Sequence, residues 1–217
     1  MNATRIAQKV SIFLAFALLA GTSQSDESKF EVGFRANVLL GDGVPSNDIL
    51  GLGVISRYRL SDGWFIGAGL DLYEYDFERP WRIVGLEQDP AADVIDAPAD
   101  STVFNGSLGR LYNETDRGFD WFWTLGLGYS LPNVDSVSGL TDTGEAFDLT
   151  FDVGNEIHLM ASLGTSYNFS SIWSATFAAR VEHHFMDVLI TDRESGNTAK
   201  VDSQSPIGAY LSLNYRF

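Results

Sequence analysis

The chain has 217 residues, 45% of them hydrophobic and 20% charged, with 21 Gly, 6 Pro and no Cys. That composition excludes a disulfide scaffold, a cysteine-ligated metal centre and a largely disordered chain. Fourteen basic against 29 acidic residues give a net charge of −15, the wrong sign for gripping the phosphates of a nucleic acid.

Residues 1 to 25 read as an address. Arg5 and Lys9 stand without an acid ahead of an apolar run of eleven, Val10 to Ala20, and the small polar stretch Gly21 to Ser25 follows. This is the order of a secretory signal peptide, cut after Ser25 or Ser23. A spanning helix needs ~20 apolar residues, so the run is too short for an anchor, and no longer one occurs later. Removing the segment leaves 12 basic against 29 acidic residues, a net −17. An exported chain without apolar helices is either soluble or a β-barrel.

A period of two then runs along residues 26 to 217. Phe30, Val32, Phe34, Ala36, Val38 and Leu40 alternate with Glu31, Gly33, Arg35, Asn37 and Leu39, which predicts a strand with one apolar face. Leu50 to Leu60 repeats the pattern, Ser61-Asp62-Gly63 is a tight turn, and Trp64 to Leu72 answers it as the second arm of a hairpin. Further strands are predicted at Trp121 to Leu131, Ile157 to Phe169, Trp173 to Phe185 and Ile207 to Phe217. A shorter eighth lies around Phe147, Leu149, Phe151 and Val153. One face of each strand is apolar, and the other carries Gly, Ser, Thr and scattered charge. This is the lipid-out, lumen-in alternation of a membrane barrel. The predicted fold is therefore all-β: an up-and-down antiparallel transmembrane β-barrel of eight strands.

With both termini facing the periplasm, the outer connections fall at Gly41 to Asp48, Glu78 to Gly118 and Thr191 to Pro206. A tight outer connection follows at Gly154-Asn155. The inner ones fall at Ser61 to Gly63, Ser170-Ser171 and, with unusual length, Pro132 to Glu145. Two aromatic belts follow. Phe30, Tyr58, Trp64, Tyr129, Phe147, Tyr167, Phe169, Trp173, Tyr215 and Phe217 form the inner one; Tyr73, Tyr75, Trp121, Trp123 and Phe185 form the outer one.

The C-terminal run Leu211-Ser212-Leu213-Asn214-Tyr215-Arg216-Phe217 resembles the last strand of Gram-negative outer-membrane proteins. The whole mature chain resembles a small eight-stranded barrel of the OmpA, OmpX or OmpW type. The resemblance implies location in the cell outer membrane and contact with its lipid and lipopolysaccharide. It also implies that the barrel-assembly machinery reads Leu213, Tyr215 and Phe217. The competing architecture is a soluble lipocalin-like periplasmic binder, which would keep its apolar face inward.

The inward face assembles a lumen charge network from Glu31, Arg35, Arg57, Asp71, Glu156, His158, Arg180, Glu182 and His184, because buried charges require partners. Arg180-Val181-Glu182-His183-His184 resembles part of the outer-membrane lipid A deacylases. After His184, however, come Phe185-Met186-Asp187, where that pattern holds its nucleophilic Ser. A His and an acid without a nucleophile cannot transfer an acyl group, although a Ser from another strand would supply one. The three His make a metal site only by recruiting carboxylates, so no catalytic, cofactor or metal residues are assigned. Eleven acids between Glu74 and Asp120, including Asp93, Asp96 and Asp100, face only Arg79, Arg82, Arg110 and Arg117. They attract divalent cations without the spacing of an EF-hand. Asn105-Gly106-Ser107 and Asn113-Glu114-Thr115 match glycosylation acceptors by chance. The expected function is non-enzymatic: envelope structure, surface interaction or restricted passage of small solutes through a filled barrel. The alternative is a deacylase-like enzyme.

Overall fold

Alternating side chains along Phe30–Leu40 build strand β1, with Glu31, Arg35, Asn37 and Leu39 buried and Phe34, Val38 and Leu40 exposed. The computed structural model describes residues 29–40, 48–77, 84–85, 97–112, 118–140, 144–201 and 203–217; the predicted signal peptide lies outside them. After β1 come β2 (Asp48–Arg59), β3 (Trp64–Phe77), β4 (Ala97–Tyr112), β5 (Gly118–Val134), β6 (Val137–Leu140) and β7 (Ala146–Val153). The remaining strands are β8 (Glu156–Asn168), β9 (Trp173–Phe185), β10 (Val188–Asp192), β11 (Thr198–Val201) and β12 (Ile207–Arg216).

Eight of these close into an antiparallel barrel in the order β1-β12-β9-β8-β5-β4-β3-β2. The seam pairs Glu31 with Arg216 at one end and Leu40 with Ile207 at the other, so no barrel edge is left unpaired. Between β2 and β3, Asp62 and Gly63 sit at φ of 56° and 78°, the primed-turn geometry that matches strand twist, and the Trp64 amide donates to the Ser61 carbonyl at 3.1 Å. That turn, Phe30 and Phe217 mark one rim, the terminal rim; Leu40 and Ile207 mark the other, the far rim.

The outward face is apolar around the whole circumference. Phe34, Leu52, Phe104, Leu125, Phe177 and Leu211 are all exposed, and Leu163 is 65% exposed. The inward face carries buried Arg35, Asp71, His158, Arg180 and Glu182. A lipocalin-like barrel has the opposite polarity, so that alternative is overturned.

Three expectations about connectivity need correction. Segment 78–118, read as one long loop, contains strand β4. Its alternation was masked because the outward positions near the far rim are Pro98, Asp100 and Thr102, while inward Ala97, Ala99, Val103 and Leu111 are apolar. The expected eighth strand near Phe147 to Val153 is β7, which belongs to a second sheet ordered β11-β10-β7-β6. The described residues of the expected inner turn Pro132 to Glu145 lie at the far rim, where β5 ends and β6 follows. With β4 in the wall and β7 outside it, β5 runs opposite to the expected direction, while the other wall strands keep theirs. Trp121 and Trp123 therefore lie at the terminal rim, where Trp123 meets Trp64 edge-on at 5.6 Å. Tyr129 lies toward the far rim, opposite Ile157. Tyr73 points into the lumen and is buried.

The second sheet continues half of the barrel wall. Its order, β6-β7-β10-β11, repeats that of the wall strands β5-β8-β9-β12 from which the chain passes into it or returns. All four extensions break at the far rim, around residues 135–136, 154–155, 186–187 and 203–206. Beyond the break, Phe147, Leu149, Val188 and Ile190 pack with Val84, Ala97 and Ala99 in an apolar core.

Candidate functional site: the lumen and the far-rim cluster

Inward positions on neighbouring strands meet at the same level because register is fixed by the ladder, and the lumen charges form three tiers. Nearest the terminal rim, Arg57 donates from Nη1 to Glu31 Oε1 at 3.2 Å, and Arg216 Nη2 approaches Glu31 Oε2 at 3.7 Å. The Arg57 guanidinium also lies over the rings of Phe65 and Phe122, 5.4 and 5.1 Å from their centroids. In the middle, Arg35 clamps Asp71 through two nitrogens, with Nε to Oδ1 at 2.7 Å. Asn37 and Asn105 complete the Asp71 carboxylate at 3.1 and 2.7 Å.

The far-rim tier joins Arg180, Glu182, His184, Glu156 and His158. Arg180 pairs with Glu182, whose Oε2 meets His184 Nε2 at 2.7 Å. The other nitrogen of that ring, Nδ1, meets Glu156 Oε1 at 2.8 Å. His158 stacks on His184 with centroids 4.5 Å apart, as their opposed places in β8 and β9 require. Its Nδ1 lies 3.2 Å from the Ser130 hydroxyl. One ligating atom each from Glu156, His158 and His184 falls within 4.8 Å of the others, so these three residues are able to hold a metal ion. Gly128 lies against the His158 imidazole, where a Cβ would collide with the ring.

The structure thus divides the nine expected lumen residues into tiers rather than one chain of contacts. Asn37, Asp120, Asn168 and Arg216 are further inward polar partners that alternation makes visible; Asn105 sits on β4 and was hidden with it. Asp120 accepts from Asn168 at 2.6 Å, so it belongs to the lumen and not to the acidic loop. Of the expected loop acids, Glu78, Glu87, Asp89, Asp93, Asp96, Glu114 and Asp116 lie outside the described strands and turns. Leu213, Tyr215 and Phe217 project outward from the last strand. Tyr215 stacks edge-on with Trp173 at 4.9 Å, and Phe217 meets Phe30 at 6.0 Å.

A serine missing from the His184 sequence context is present in space beside its neighbour. Ser205 Oγ lies 2.8 Å from His183 Nδ1 on the outer wall, with Phe185 edge-on to the same imidazole at 4.7 Å. Among the described residues no carboxylate is paired with His183, so the third member of a hydrolytic triad is not supplied there.

The lumen has little free volume. A terminal-rim cavity between Glu31, Arg57 and Asp120 holds about 10 Å³, and a far-rim cavity between Tyr73, Glu156, His184 and Met186 about 40 Å³. One water needs roughly 10–15 Å³ by the same measure.

No family model matches this chain, and no curated protein sequence does. Solved structures do match. The outer membrane protein OprG from Pseudomonas aeruginosa aligns over 88% of this chain and 96% of its own, with a TM-score of 0.63 at 14% identity. The outer membrane protein AlkL, solved in lipid bilayers, aligns over 90% and 93% with a TM-score of 0.53 at 14% identity. Neisserial surface protein A aligns over 88% and 98%, with a TM-score of 0.52 at 12% identity. The fold class is therefore that of the small outer-membrane barrels: all-β, antiparallel, closed at eight strands. At these identities the likeness defines architecture and leaves the role of individual residues to the geometry above.

Proposed function

We propose that the chain is an integral protein of the cell outer membrane, exported by the segment 1–25, with both termini in the periplasm and the far rim at the cell surface. The observation that supports this most strongly is the reversed polarity: apolar side chains cover the outside of a closed barrel whose inside is ion-paired. In this reading the band from Leu52 to Leu211 contacts acyl chains and lipopolysaccharide. Leu213, Tyr215 and Phe217 present the assembly signal. The acids of segment 78–96 share divalent cations with lipid phosphates. The filled lumen disfavours a general pore, and the second sheet offers a surface for contact with partners outside the cell. The role is structural and adhesive rather than catalytic. Fractionation of expressing cells tests it: the protein should resist alkaline extraction, remain with the outer membrane, and migrate differently on gels before and after boiling. Release into the aqueous periplasmic fraction without detergent would overturn the proposal.

A second reading, restricted passage of small apolar solutes, draws support from the far-rim cavity, whose lining includes Leu39, Ile49, Tyr73, Tyr75, Val103, Met186 and Pro206. It requires that N-phenylnaphthylamine bind the purified barrel and that Val103→Trp abolish the binding. The deacylase alternative now rests on His183 and Ser205. It requires a changed lipid A mass in expressing cells that Ser205→Ala restores, and an unchanged mass ends it.

A further inference from the structure

We propose that Glu156, His158 and His184 form a binding site for a borderline divalent metal ion of the zinc class. Three observations lead there. The first is convergence: two imidazoles and one carboxylate from β8 and β9 bring their ligand atoms within 4.8 Å of one another. Metal–ligand bonds of about 2.0–2.2 Å set tetrahedral donors roughly 3.4 Å apart, so small side-chain rotations close the set.

The second is a pair of unused donors. His158 Nε2 and Glu156 Oε2 are buried and have no hydrogen-bond partner, an arrangement that is destabilising unless something else occupies them. The third is the support behind each imidazole. Ser130 holds His158 at Nδ1, and Glu182 holds His184 at Nε2. This leaves His158 Nε2 and His184 Nδ1 as the donors beside Glu156. Ligating histidines are oriented in this way, with the second nitrogen held by a hydroxyl, carbonyl or carboxylate.

Two nitrogens and one oxygen select zinc, copper, nickel or cobalt over calcium or magnesium, whose preferred ligands are oxygens. Three protein donors leave a fourth position, and the far-rim cavity lined by Glu156, His184, Met186 and Gln204 opens onto it with room for a water molecule. The ion would tie β8 to β9 at the line where the wall bends into the second sheet. This inference depends on the fold alone and holds whichever membrane contains the barrel.

The test is titration of the folded full-length barrel in detergent with Co²⁺, after heat-dependent gel mobility has established folding. One Co²⁺ per chain should bind with the intense visible absorption of a low-coordinate nitrogen and oxygen site. Zn²⁺ should displace it stoichiometrically, and excess Ca²⁺ or Mg²⁺ should not. His184→Ala should weaken binding more than ~100-fold and remove the band, and Ser130→Ala, which touches no donor to the metal, should weaken it about 10-fold. Should His184→Ala fail to fold, Glu156→Gln and Ser130→Ala carry the same comparison. Absence of the band in the unmodified protein overturns the proposal. So does its displacement by Ca²⁺, or binding by the Glu156→Gln and Ser130→Ala barrels as tight as that of the unmodified protein, each of which assigns the metal to exposed acids.

Discussion

The barrel lumen and the second sheet are built from continuous strands but bury opposite chemistry. Inside the barrel, Arg35, Asp71, Arg180 and Glu182 are buried in mutual ion pairs while Leu125 and Leu163 face outward. Beyond the far-rim bend, Phe147, Leu149, Val188 and Ile190 are buried, while Arg193 and Asp148 pair at the exposed surface at 3.4 Å. The same backbone crosses from one regime to the other within two residues at Met186-Asp187. On the proposed reading, the medium outside decides which side turns inward, lipid for the wall and water for the sheet.

That contrast is broken most severely from within the lumen. Asp71→Ala strands Arg35 without its carboxylate and leaves Asn37 and Asn105 without an acceptor. Removing one partner of a buried pair costs about 3–5 kcal/mol, and urea unfolding of the whole barrel in micelles should shift to match. Phe147→Ala removes a ring from the apolar core, a change that costs roughly 3–5 kcal/mol in well-packed proteins. Here the loss should stay local: faster amide exchange in β7 and β10, with barrel unfolding unchanged. A global loss would mean that sheet and wall unfold as one unit.

Charge placed outward separates the regions further. Leu163→Arg faces the middle of the band and should cost about 2–4 kcal/mol of barrel stability in bilayers, whereas Leu189→Arg, exposed on β10, should cost roughly 0–1 kcal/mol. Equal effects would remove the bilayer from the explanation. The smallest effect concerns pH. Burial pushes the Asp192 carboxyl up, but hydrogen bonds from Ser195 and from the Asp148, Glu194 and Ser195 amides outweigh it and hold the group below its ordinary value. A lowered folded value means that this carboxylate stabilises the β10 turn above the unfolded carboxyl range. The stabilisation fades as pH falls through the lowered value. Amide exchange around Asp192 to Gly196 should quicken at acid pH, and Asp192→Asn should remove that dependence.

The period of two placed seven of the eight wall strands, because each of them carries an unbroken apolar face toward the outside. It missed β4, where Ala97 and Ala99 pack beneath the second sheet and Asp100 stands outside, so the two faces trade character along one strand. β7 carries the same alternation as a wall strand because one of its faces packs in an apolar core. For the lumen, alternation indicates which residues point inward, but their partners depend on register. His158 and His184 are 26 positions apart, and only the β8–β9 ladder sets them face to face. Ser205 reaches His183 by another route, the isolated bridge between His184 and Gln204, from a segment with no recognisable pattern of its own.

The four wall extensions share one order of neighbours with the wall itself, and this restricts how the exposed end of the molecule can change over generations. An isolated hairpin tip can lengthen or shorten freely. Here an insertion in any one extension must be matched by its adjoining ribbons, or the awning over the mouth loses its hem. Variation at that end should therefore arrive in coordinated sets.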